Sequence, residues 1–174
     1  MRHEYSSAYG RVILRPLELE DAETLRVLRN QNRDKFVSTA EITAEAQSAW
    51  YSRYLERAGD YMFSVYDQRS SQWVGAVGIY DVDVKTGLAE FGRLLIGREF
   101  IPERGLGTDA TRAACEFAFG QLGLKELRLE VYHNNVPALI TYLKSGFLPY
   151  ALKASEDGRR LVHMNAFPSK TTII

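Results

Sequence analysis

The feature that most restricts the fold is a glycine-containing turn that leads directly into a helix. In "IPERGLGTDATRAACEFAF", residues 101–119, Gly105 and Gly107 precede alanines and phenylalanines at helical spacing. Backbone N–H groups at a helix start have no partner within the helix, so they favour an anion. The glycines lack Cβ atoms and permit the positive φ angles that a phosphate-binding turn needs. The turn therefore predicts a phosphate site, to which Arg104 adds a positive charge.

The composition is that of one cytoplasmic domain without a nucleic-acid or membrane partner. The chain has 174 residues, and Lys plus Arg equal Asp plus Glu at 22 each. No net charge therefore attracts it to nucleic acid or to an anionic membrane. No apolar run approaches the roughly 18 residues of a membrane span, and the N-terminus lacks a signal-peptide core. We expect residues 1–174 to form a single domain in the cytoplasm.

Cysteine and histidine usage argues against disulfide and metal chemistry. Cys115 is the only cysteine, and the three histidines show no metal-ligand spacing with it. Cys115 lies among alanines and phenylalanines, which predicts a buried and inert thiol rather than a nucleophile. We therefore predict no metal site.

Hydrophobic periodicity predicts the element order βα, α, βββ, α, β, α, ββ. In the first helix Leu25, Val27 and Leu28 recur at helical spacing, and Thr43 has the side chain of an N-cap for the second. The dipeptide at residues 157–158, Asp-Gly, predicts a turn between the last two strands. The pattern indicates an α/β (α+β) domain, with a mixed central sheet of about six to seven strands and about four helices.

Two kinds of phosphate loop fit the glycine turn. Residues 105–110 match G-x-G-x-x-G/A, the dinucleotide-binding (Rossmann) fingerprint, and Glu130 lies near the distance expected of a ribose-binding acid. That fold places the fingerprint first and then repeats strand and helix. Here the glycines come after residue 100, and the remainder has no room for a second half. The Rossmann interpretation is therefore the weaker alternative.

The other interpretation extends over the second half of the chain. Residues 104–107, Arg-Gly-Leu-Gly, resemble the Q/R-x-x-G-x-G/A acetyl-coenzyme A signature of the GNAT superfamily of N-acetyltransferases. "NVPALITYLKSGF", residues 135–147, is similar to the N-x-x-A-x-x-x-Y-x-x-x-G-F segment of the same superfamily. "LRPLELEDAETL" resembles the opening of the subgroup that includes ribosomal-protein N-terminal acetyltransferases, and the early helices resemble those of amino-sugar N-acetyltransferases. The resemblance covers nearly the whole chain.

One residue departs from the signature. Asp109 stands where the signature has Gly or Ala, and an acid beside a pyrophosphate would repel it. We expect its side chain to point away from the turn and to favour the helix N-terminus through the macrodipole.

The resemblance implies a transferase that moves an acetyl group from acetyl-CoA to an amine by direct attack, without a metal. It implies two splayed strands, "AEFGRLLI" and "LRLEVYH", with the thioester arm of the coenzyme between them. Main-chain groups of the first strand would bind the pantetheine and polarise the acetyl oxygen, helix-start N–H groups would bind the pyrophosphate, and an asparagine would hydrogen-bond the pantetheine. These residues are, in that order, Leu94, Leu95 and Ile96; Arg104, Gly105, Leu106, Gly107 and Thr108; and Asn135. The alternative role of Asn135 is in the N-cap region of the following helix, and the two roles are compatible.

The same resemblance assigns the proton transfers. Tyr142 matches the tyrosine that faces the sulfur and protonates the departing thiolate, and its alternative is a core aromatic. For the base we name Glu90, acting directly or through water. A solvent-facing strand glutamate is an equal alternative, and His133 is a second candidate base.

The acceptor stays open between a protein N-terminus, an amino sugar and a small amine. The family builds its acceptor pocket from the early helices and the final hairpin, where this chain has Arg29, Asn30 and Trp50 among other polar and aromatic residues. The balanced charge argues against a polycationic acceptor. The resemblance also allows a homodimer. A coenzyme-binding module without catalysis is the alternative of a different class.

Overall fold

The computed structural model describes residues 3–33, 40–97, 104–155 and 158–169. Its elements follow the predicted order, with one short strand added at the start and a π-helical turn after the third helix. In chain order they are β1 (Ser7–Tyr9), β2 (Val12–Pro16), α1 (Leu19–Gln31), α2 (Ala44–Glu56), β3 (Tyr61–Asp67), β4 (Trp73–Asp83), β5 (Leu88–Ile96), α3 (Leu106–Glu116), the π-helical turn (Phe117–Gln121), β6 (Glu126–Tyr132), α4 (Val136–Lys144), β7 (Leu148–Ala154) and β8 (Arg160–Ala166).

The strands named above belong to one mixed sheet with the order β1-β2-β3-β4-β5-β6-β8-β7. Only β5 and β6 pair in parallel; the other neighbouring strands of this sheet are antiparallel. The predicted mixed α/β domain is confirmed, and the described residues form eight strands where about six to seven were expected. The Rossmann interpretation is wrong, because that fold needs a mostly parallel, doubly wound sheet.

Each face of the sheet carries its own apolar cluster. On one face the stripe of α3 packs on β2 to β6, together with the inner side of α4. The predicted members of that stripe, Ala110, Ala114, Phe117 and Ala118, are completely buried. On the other face Leu25 of α1 and the tyrosines of α2 pack on Met62, Ala76 and Leu95. The two clusters separate the helices into two layers, with β5 belonging to both.

Several local predictions can be compared directly with the structure. Thr43 is the N-cap of α2, since its Oγ1 accepts from the Ala46 N–H at 3.2 Å. Val27 does not join the buried stripe of α1; it is 44% exposed. Two residues correspond to a rotation of about 200° around a helix, so Val27 lies on the side opposite Leu25. Cys115 is buried, as predicted, and burial raises the pKa of its thiol to about 12, which disfavours the nucleophilic thiolate.

The remaining predictions concern the turn between the last two strands, membrane-spanning helices and metal sites. Asp157 of the predicted turn lies outside the described residues, whereas Gly158 has a positive φ and the β7–β8 hairpin is present. Within the described part of the chain, no helix is long and apolar enough to cross a bilayer. The same residues include no group of three His, Cys, Asp or Glu side chains that could hold a metal ion.

The contact between β4 and β5 depends on a glycine. A Cβ built at Gly75 would overlap the backbone carbonyl oxygen of Leu95, and that oxygen can move only if the strand moves. We therefore expect Gly75→Ala to lower the free energy of unfolding by at least about 2 kcal/mol in urea titrations.

The matched control is Gly120→Ala, because a Cβ at Gly120 meets nothing within 4 Å. This control should stay within about 0.5 kcal/mol of the wild type. Equal stability of the Gly75 and Gly120 variants would contradict the close approach of the two strands.

Candidate active site

The central feature of the site is a gap between β5 and β6. The two strands pair in parallel only from Leu88–Glu90 against Glu126–Arg128. Beyond that point β5 continues to Ile96 on β4, and β6 continues to Tyr132 on β8. The sheet therefore opens like a V after Glu90, and the facing edges of the two strands can hydrogen-bond to a bound molecule.

A β-bulge at the open part of β5 redirects its side chains. Gly78 of β4 is opposite Gly92, and Ala76 is opposite Leu95, so one residue of β4 faces two of β5. Arg93, in the bulge, has a φ of 54°, which is rare for a residue with a Cβ. Past the bulge, Leu95 packs in the cluster of α1 and α2, whereas its neighbours pack on the opposite face.

Helix α3 begins beside the open end of the gap. Gly105 is its N-cap with a φ of 106°, and the first helical hydrogen bond runs from the Asp109 N–H to the Gly105 carbonyl oxygen. The N–H groups of residues 106–108 therefore precede the helical ladder and can bind an anion. A Cβ at Gly107 would lie 3.7 Å from Thr141 of α4 and 4.0 Å from Ile96 of β5. The predicted phosphate site and the gap are neighbours.

The structure corrects the expected role of one of the two glycines. Gly105 has a positive φ, whereas Gly107 lies inside the first turn of α3, which begins at Leu106. Gly107 is therefore useful for its missing side chain and not for its backbone freedom. Leu106 is 2% exposed, so its side chain anchors the helix in the core. Arg104 is exposed at the entrance to the turn.

The Asp109 carboxylate points toward the β1–β2 turn. Its Oδ2 accepts from the Arg11 N–H at 3.0 Å. Gly10, at the tip of that turn, has a φ of 56°, and a Cβ there would lie 2.5 Å from Asp109 Oδ2. The departure from the glycine signature is therefore a structural contact between α3 and the first hairpin, directed away from the helix start, as expected.

Tyr142 lies on the inner side of α4. Its ring packs edge-on against Phe91 at a centroid distance of 5.7 Å and against Phe147 at 6.0 Å. Burial raises the pKa of Tyr142 to about 12, and the nearby Tyr80 phenol contributes to the rise. The hydroxyl is therefore protonated at neutral pH and can donate a hydrogen bond. Its ring is also a core aromatic, so both predicted roles are compatible with this position.

Asn135 is the N-cap residue of the same helix. Its Oδ1 accepts from the Ala138 N–H at 3.3 Å and so caps α4. Its NH₂ group and the second lone pair of Oδ1 can then serve a ligand.

Glu90 lies at the point where the gap opens. It is half-buried, opposite Arg128 on β6 and Tyr80 on β4. Burial raises the pKa of the Glu90 carboxyl, and the charge of Glu130 raises it further, against the lowering effect of Arg128. A raised pKa brings a carboxylate closer to the basicity that proton transfer at neutral pH requires. His133, the second candidate base, is exposed, and its Nδ1 lies 3.3 Å from the Arg160 carbonyl oxygen.

Sequence reasoning missed two residues beside the gap. The Tyr80 hydroxyl lies over Gly92, where a Cβ would come within 2.7 Å of it. The Arg93 guanidinium lies 4.2 Å from the centroid of the Tyr80 ring and donates to Asp60 Oδ1 at 2.6 Å. Asp60 is 33 residues away in sequence, so no local spacing could have indicated the pair. The glycine at position 92, within a strand, was the one available sign of a close approach.

A cavity of about 400 Å³ lies on the other side of β5, under α1 and α2. Arg29 and Trp50, from the region predicted to hold the acceptor, are part of its wall. Asn30 instead holds the main chain just before α2. Its Nδ2 donates to the Ile42 carbonyl oxygen and its Oδ1 accepts from the Ile42 N–H, both at 2.9 Å. The lining residues are Leu25, Arg26, Arg29, Ile42, Ala46, Gln47, Trp50, Met62, Arg93 and Leu95.

Comparison with known proteins gives a consistent result. Residues 11–148 match the family model of the acetyltransferase (GNAT) domain. The probable N-acetyltransferase YjcK of Bacillus subtilis (strain 168) is 26% identical over 145 residues, which cover 78% of this chain and 80% of that protein.

Solved structures share the fold at lower sequence identity. The spermidine N-acetyltransferase of Vibrio cholerae, crystallised with CoA and spermine, superimposes with a TM-score of 0.80 at 22% identity, over 90% of this chain and 95% of that chain. Apo FdhC, described as a nucleotide-linked sugar GNAT, gives a TM-score of 0.79 at 20% identity, over 95% of this chain and 91% of that chain. The arrangement of sheet and helices is thus common to enzymes with different acceptors.

Proposed function

This chain belongs to the GNAT acetyltransferase family and is an acyl-CoA N-acyltransferase, and we propose that it moves an acetyl group from acetyl-CoA to a primary amine. The observation that carries the proposal is the gap between β5 and β6, which opens beside the start of α3. The Vibrio cholerae neighbour, crystallised with CoA, supports use of this coenzyme. In the reaction the amine nitrogen forms a bond to the acetyl carbon, the C–S bond breaks, and one proton passes from the amine while another reaches the thiolate.

The coenzyme would follow the elements in order. Its pyrophosphate would accept hydrogen bonds from the N–H groups of residues 106–108, with Gly105 opening the turn and Arg104 supplying charge. Its pantetheine would lie along the open edge of β5, where main-chain groups of Leu94, Leu95 and Ile96 could bind it and polarise the acetyl oxygen. The Asn135 NH₂ group would donate to the pantetheine from the start of α4.

Tyr142 would stabilise the departing thiolate. With a pKa of about 12, its hydroxyl is a weaker acid than an ordinary thiol, whose pKa is near 8.5. A complete proton transfer is therefore uphill, and a hydrogen bond to the developing negative charge on sulfur is the larger part of the contribution. Desolvation of the sulfur in the closed site would raise the pKa of the thiol and bring the two pKa values closer.

Glu90 would receive the amine proton, directly or through water. Its raised pKa gives it more basicity than an exposed glutamate, and it lies where β5 and β6 part. The acceptor itself is not fixed by the fold, because the neighbours named above act on spermidine and on a nucleotide-linked sugar.

We expect Gly107→Val to abolish acetyl-CoA binding in calorimetry, because its side chain would cover the N–H groups at the start of α3. The protein should stay folded, since the first added atom meets nothing closer than 3.7 Å. Gly120→Ala serves as the control and should bind as the wild type does. Unchanged affinity in the Gly107 variant would contradict this placement of the pyrophosphate.

Tyr142→Phe should lower turnover by roughly ten- to a thousandfold, with little change in acetyl-CoA affinity. The phenyl ring retains the packing on Phe91 and Phe147, so only the donor is lost. The assay is thiol release from acetyl-CoA across peptides, amino sugars and small amines. Tyr150→Phe, at a tyrosine that is 52% exposed on β7, is the matched control. A wild-type protein that binds the coenzyme and turns over no amine would instead be a binding module.

Glu90→Gln should lower the rate near neutral pH and recover part of the loss at alkaline pH, where free amine is abundant. The glutamine keeps the shape and removes the base. Glu116→Gln, at an exposed acid on α3, is the control and should have the wild-type rate. Full activity of Glu90→Gln throughout the pH range would exclude this base assignment.

The same variant has a stability signature that separates folding from catalysis. A carboxyl with a raised folded-state pKa stabilises the fold while protonated, and that contribution is lost as the pH rises through the folded-state pKa. Glu90→Gln should therefore gain stability over the wild type as the pH rises from 4.5, the ordinary pKa of the carboxyl, and keep a constant advantage above the raised pKa. Urea titrations along a pH series measure this difference.

A further inference from the structure

We infer that Tyr80 is a further catalytic residue, whose hydroxyl binds the attacking amine nitrogen and carries one of its protons to the Glu90 carboxylate. The inference rests on the proposed acetyl transfer and completes the path of the amine proton in it. The position of the hydroxyl beside the opening of the gap carries the argument.

The register of β4 and β5 places Tyr80 and Glu90 on one face of the sheet. The two residues are paired across the strands. The adjoining pair, Ile79 and Phe91, is buried in the cluster under α3 and α4. Because successive side chains of a strand alternate between its faces, Tyr80, Glu90 and Gly92 face away from that cluster. The phenol and the carboxylate are therefore neighbours on the opposite face of the sheet.

Gly92 makes room for the Tyr80 hydroxyl at the opening of the gap. A Cβ at residue 92 would lie 2.7 Å from the hydroxyl oxygen, so the phenol occupies the place of a side chain on β5. The ladder between β5 and β6 ends at Glu90, and Gly92 is the second residue beyond that point. A molecule between the parted strands would therefore meet the hydroxyl next to the acetyl group, whose proposed binding segment begins at Leu94.

A buried ion pair holds the Tyr80 ring in this position. The guanidinium carbon of Arg93 lies 4.2 Å from the ring centroid, and the same guanidinium donates to Asp60 Oδ1 at 2.6 Å. The Asp60 side chain is 4% exposed. The ring thus has a fixed orientation, which a group that must meet a reacting atom needs.

The hydroxyl itself can serve a substrate. Tyr80 is half-buried, and within the described residues its hydroxyl makes no hydrogen bond. The Glu90 carboxylate likewise accepts no hydrogen bond from that part of the chain. A phenol hydroxyl can accept from an amine N–H and donate to a carboxylate at the same time.

The surroundings of the phenol keep it protonated. Burial raises the pKa of Tyr80, and the Arg93 guanidinium opposes this rise. Nearby carboxylates raise the pKa further; they belong to Glu90, Asp81 and Asp60. At neutral pH the hydroxyl therefore passes a proton on only as it receives another.

The proposed step moves two protons and forms no phenolate. As the amine nitrogen bonds to the acetyl carbon, an N–H proton moves to the Tyr80 oxygen, and the original hydroxyl proton moves to the Glu90 carboxylate. The C–S bond breaks, and its electron pair leaves with the sulfur. Tyr142, which packs with the cluster on the other face of β5, would donate to that sulfur. Glu90 then releases its proton to water, so the nitrogen and the sulfur are served by phenols on opposite faces.

Tyr80→Phe should lower kcat at least about tenfold and leave acetyl-CoA affinity within about twofold of the wild type. The phenyl ring keeps its packing under Arg93, so only the hydroxyl is lost. The rate is thiol release from acetyl-CoA, measured on whichever peptide, amino sugar or small amine the wild type acetylates fastest. Tyr61→Phe, at another half-buried tyrosine on β3, is the matched control and should have the wild-type rate.

Double variants test whether Tyr80 and Glu90 serve the same proton. Tyr80→Phe combined with Glu90→Gln should lose no more rate than the more severe single variant, because the second change interrupts a path that is already broken. Tyr80→Phe combined with Tyr142→Phe should show losses that multiply, since the nitrogen and the sulfur are served separately.

Gly92→Ala tests the position of the hydroxyl while the tyrosine stays in place. The added Cβ would overlap the Tyr80 hydroxyl and displace it, so this variant should also slow turnover. In the Tyr80→Phe background the same alanine meets no hydroxyl, and it should cause little further loss.

The outcomes distinguish this inference from the proposed function. A wild-type rate in Tyr80→Phe, or losses of Tyr80→Phe and Glu90→Gln that multiply, would overturn the role of Tyr80 and leave amine acetylation intact. An equal loss from Gly92→Ala with and without the hydroxyl would have the same meaning. A wild-type protein that binds acetyl-CoA and releases no thiol with any amine would overturn the proposed function and the inference with it.

Discussion

The parting of β5 and β6 is the constraint on which the rest of the structure depends. A backbone group that loses its strand partner and is shielded from water costs about 1–3 kcal/mol unless another partner replaces it. The three-pair ladder at Leu88–Glu90 closes one end of the gap, and pairing with β4 and β8 holds the outer side of each strand. The open inner edges thus remain rigid, available to a molecule that has its own row of amides. The pantetheine arm of coenzyme A is such a molecule.

Two contacts hold the start of α3 beside the gap. The Leu106 side chain fixes the first turn of that helix in the core, and the Asp109 carboxylate binds the Arg11 N–H of the first hairpin. If the N–H groups at the start of α3 are to bind a ligand, they cannot also hold the helix in place. Its position is therefore set from the side, by contacts that leave the N–H groups for a ligand.

The sequence predicted those parts of the site that depend on local patterns. The helix start at Gly105 and the cap at Asn135 each depend on a few neighbouring residues, so these local features could be predicted from sequence. Their role toward the coenzyme stays a prediction. The short strand β1 was missed because Ser7–Tyr9 has no periodicity of its own; it forms only by pairing with β2. The bulge at Arg93 and its bond to Asp60 arise from tertiary contacts, and no spacing rule encodes them. The roles of Tyr142 and Glu90 stay predictions, since their chemistry depends on a bound coenzyme.

The bulge in β5 has a consequence for how such a protein can diversify. Because one extra residue redirects the strand, its two faces belong to different apolar clusters: one lies under α3 and α4, and the other, under α1 and α2, surrounds the cavity. Substitutions on α1 and α2 can therefore alter the cavity without disturbing the packing that supports the start of α3. A duplicated copy of the gene could change the shape of this cavity by drift in two helices while the residues under α3 and α4 stay under unchanged selection.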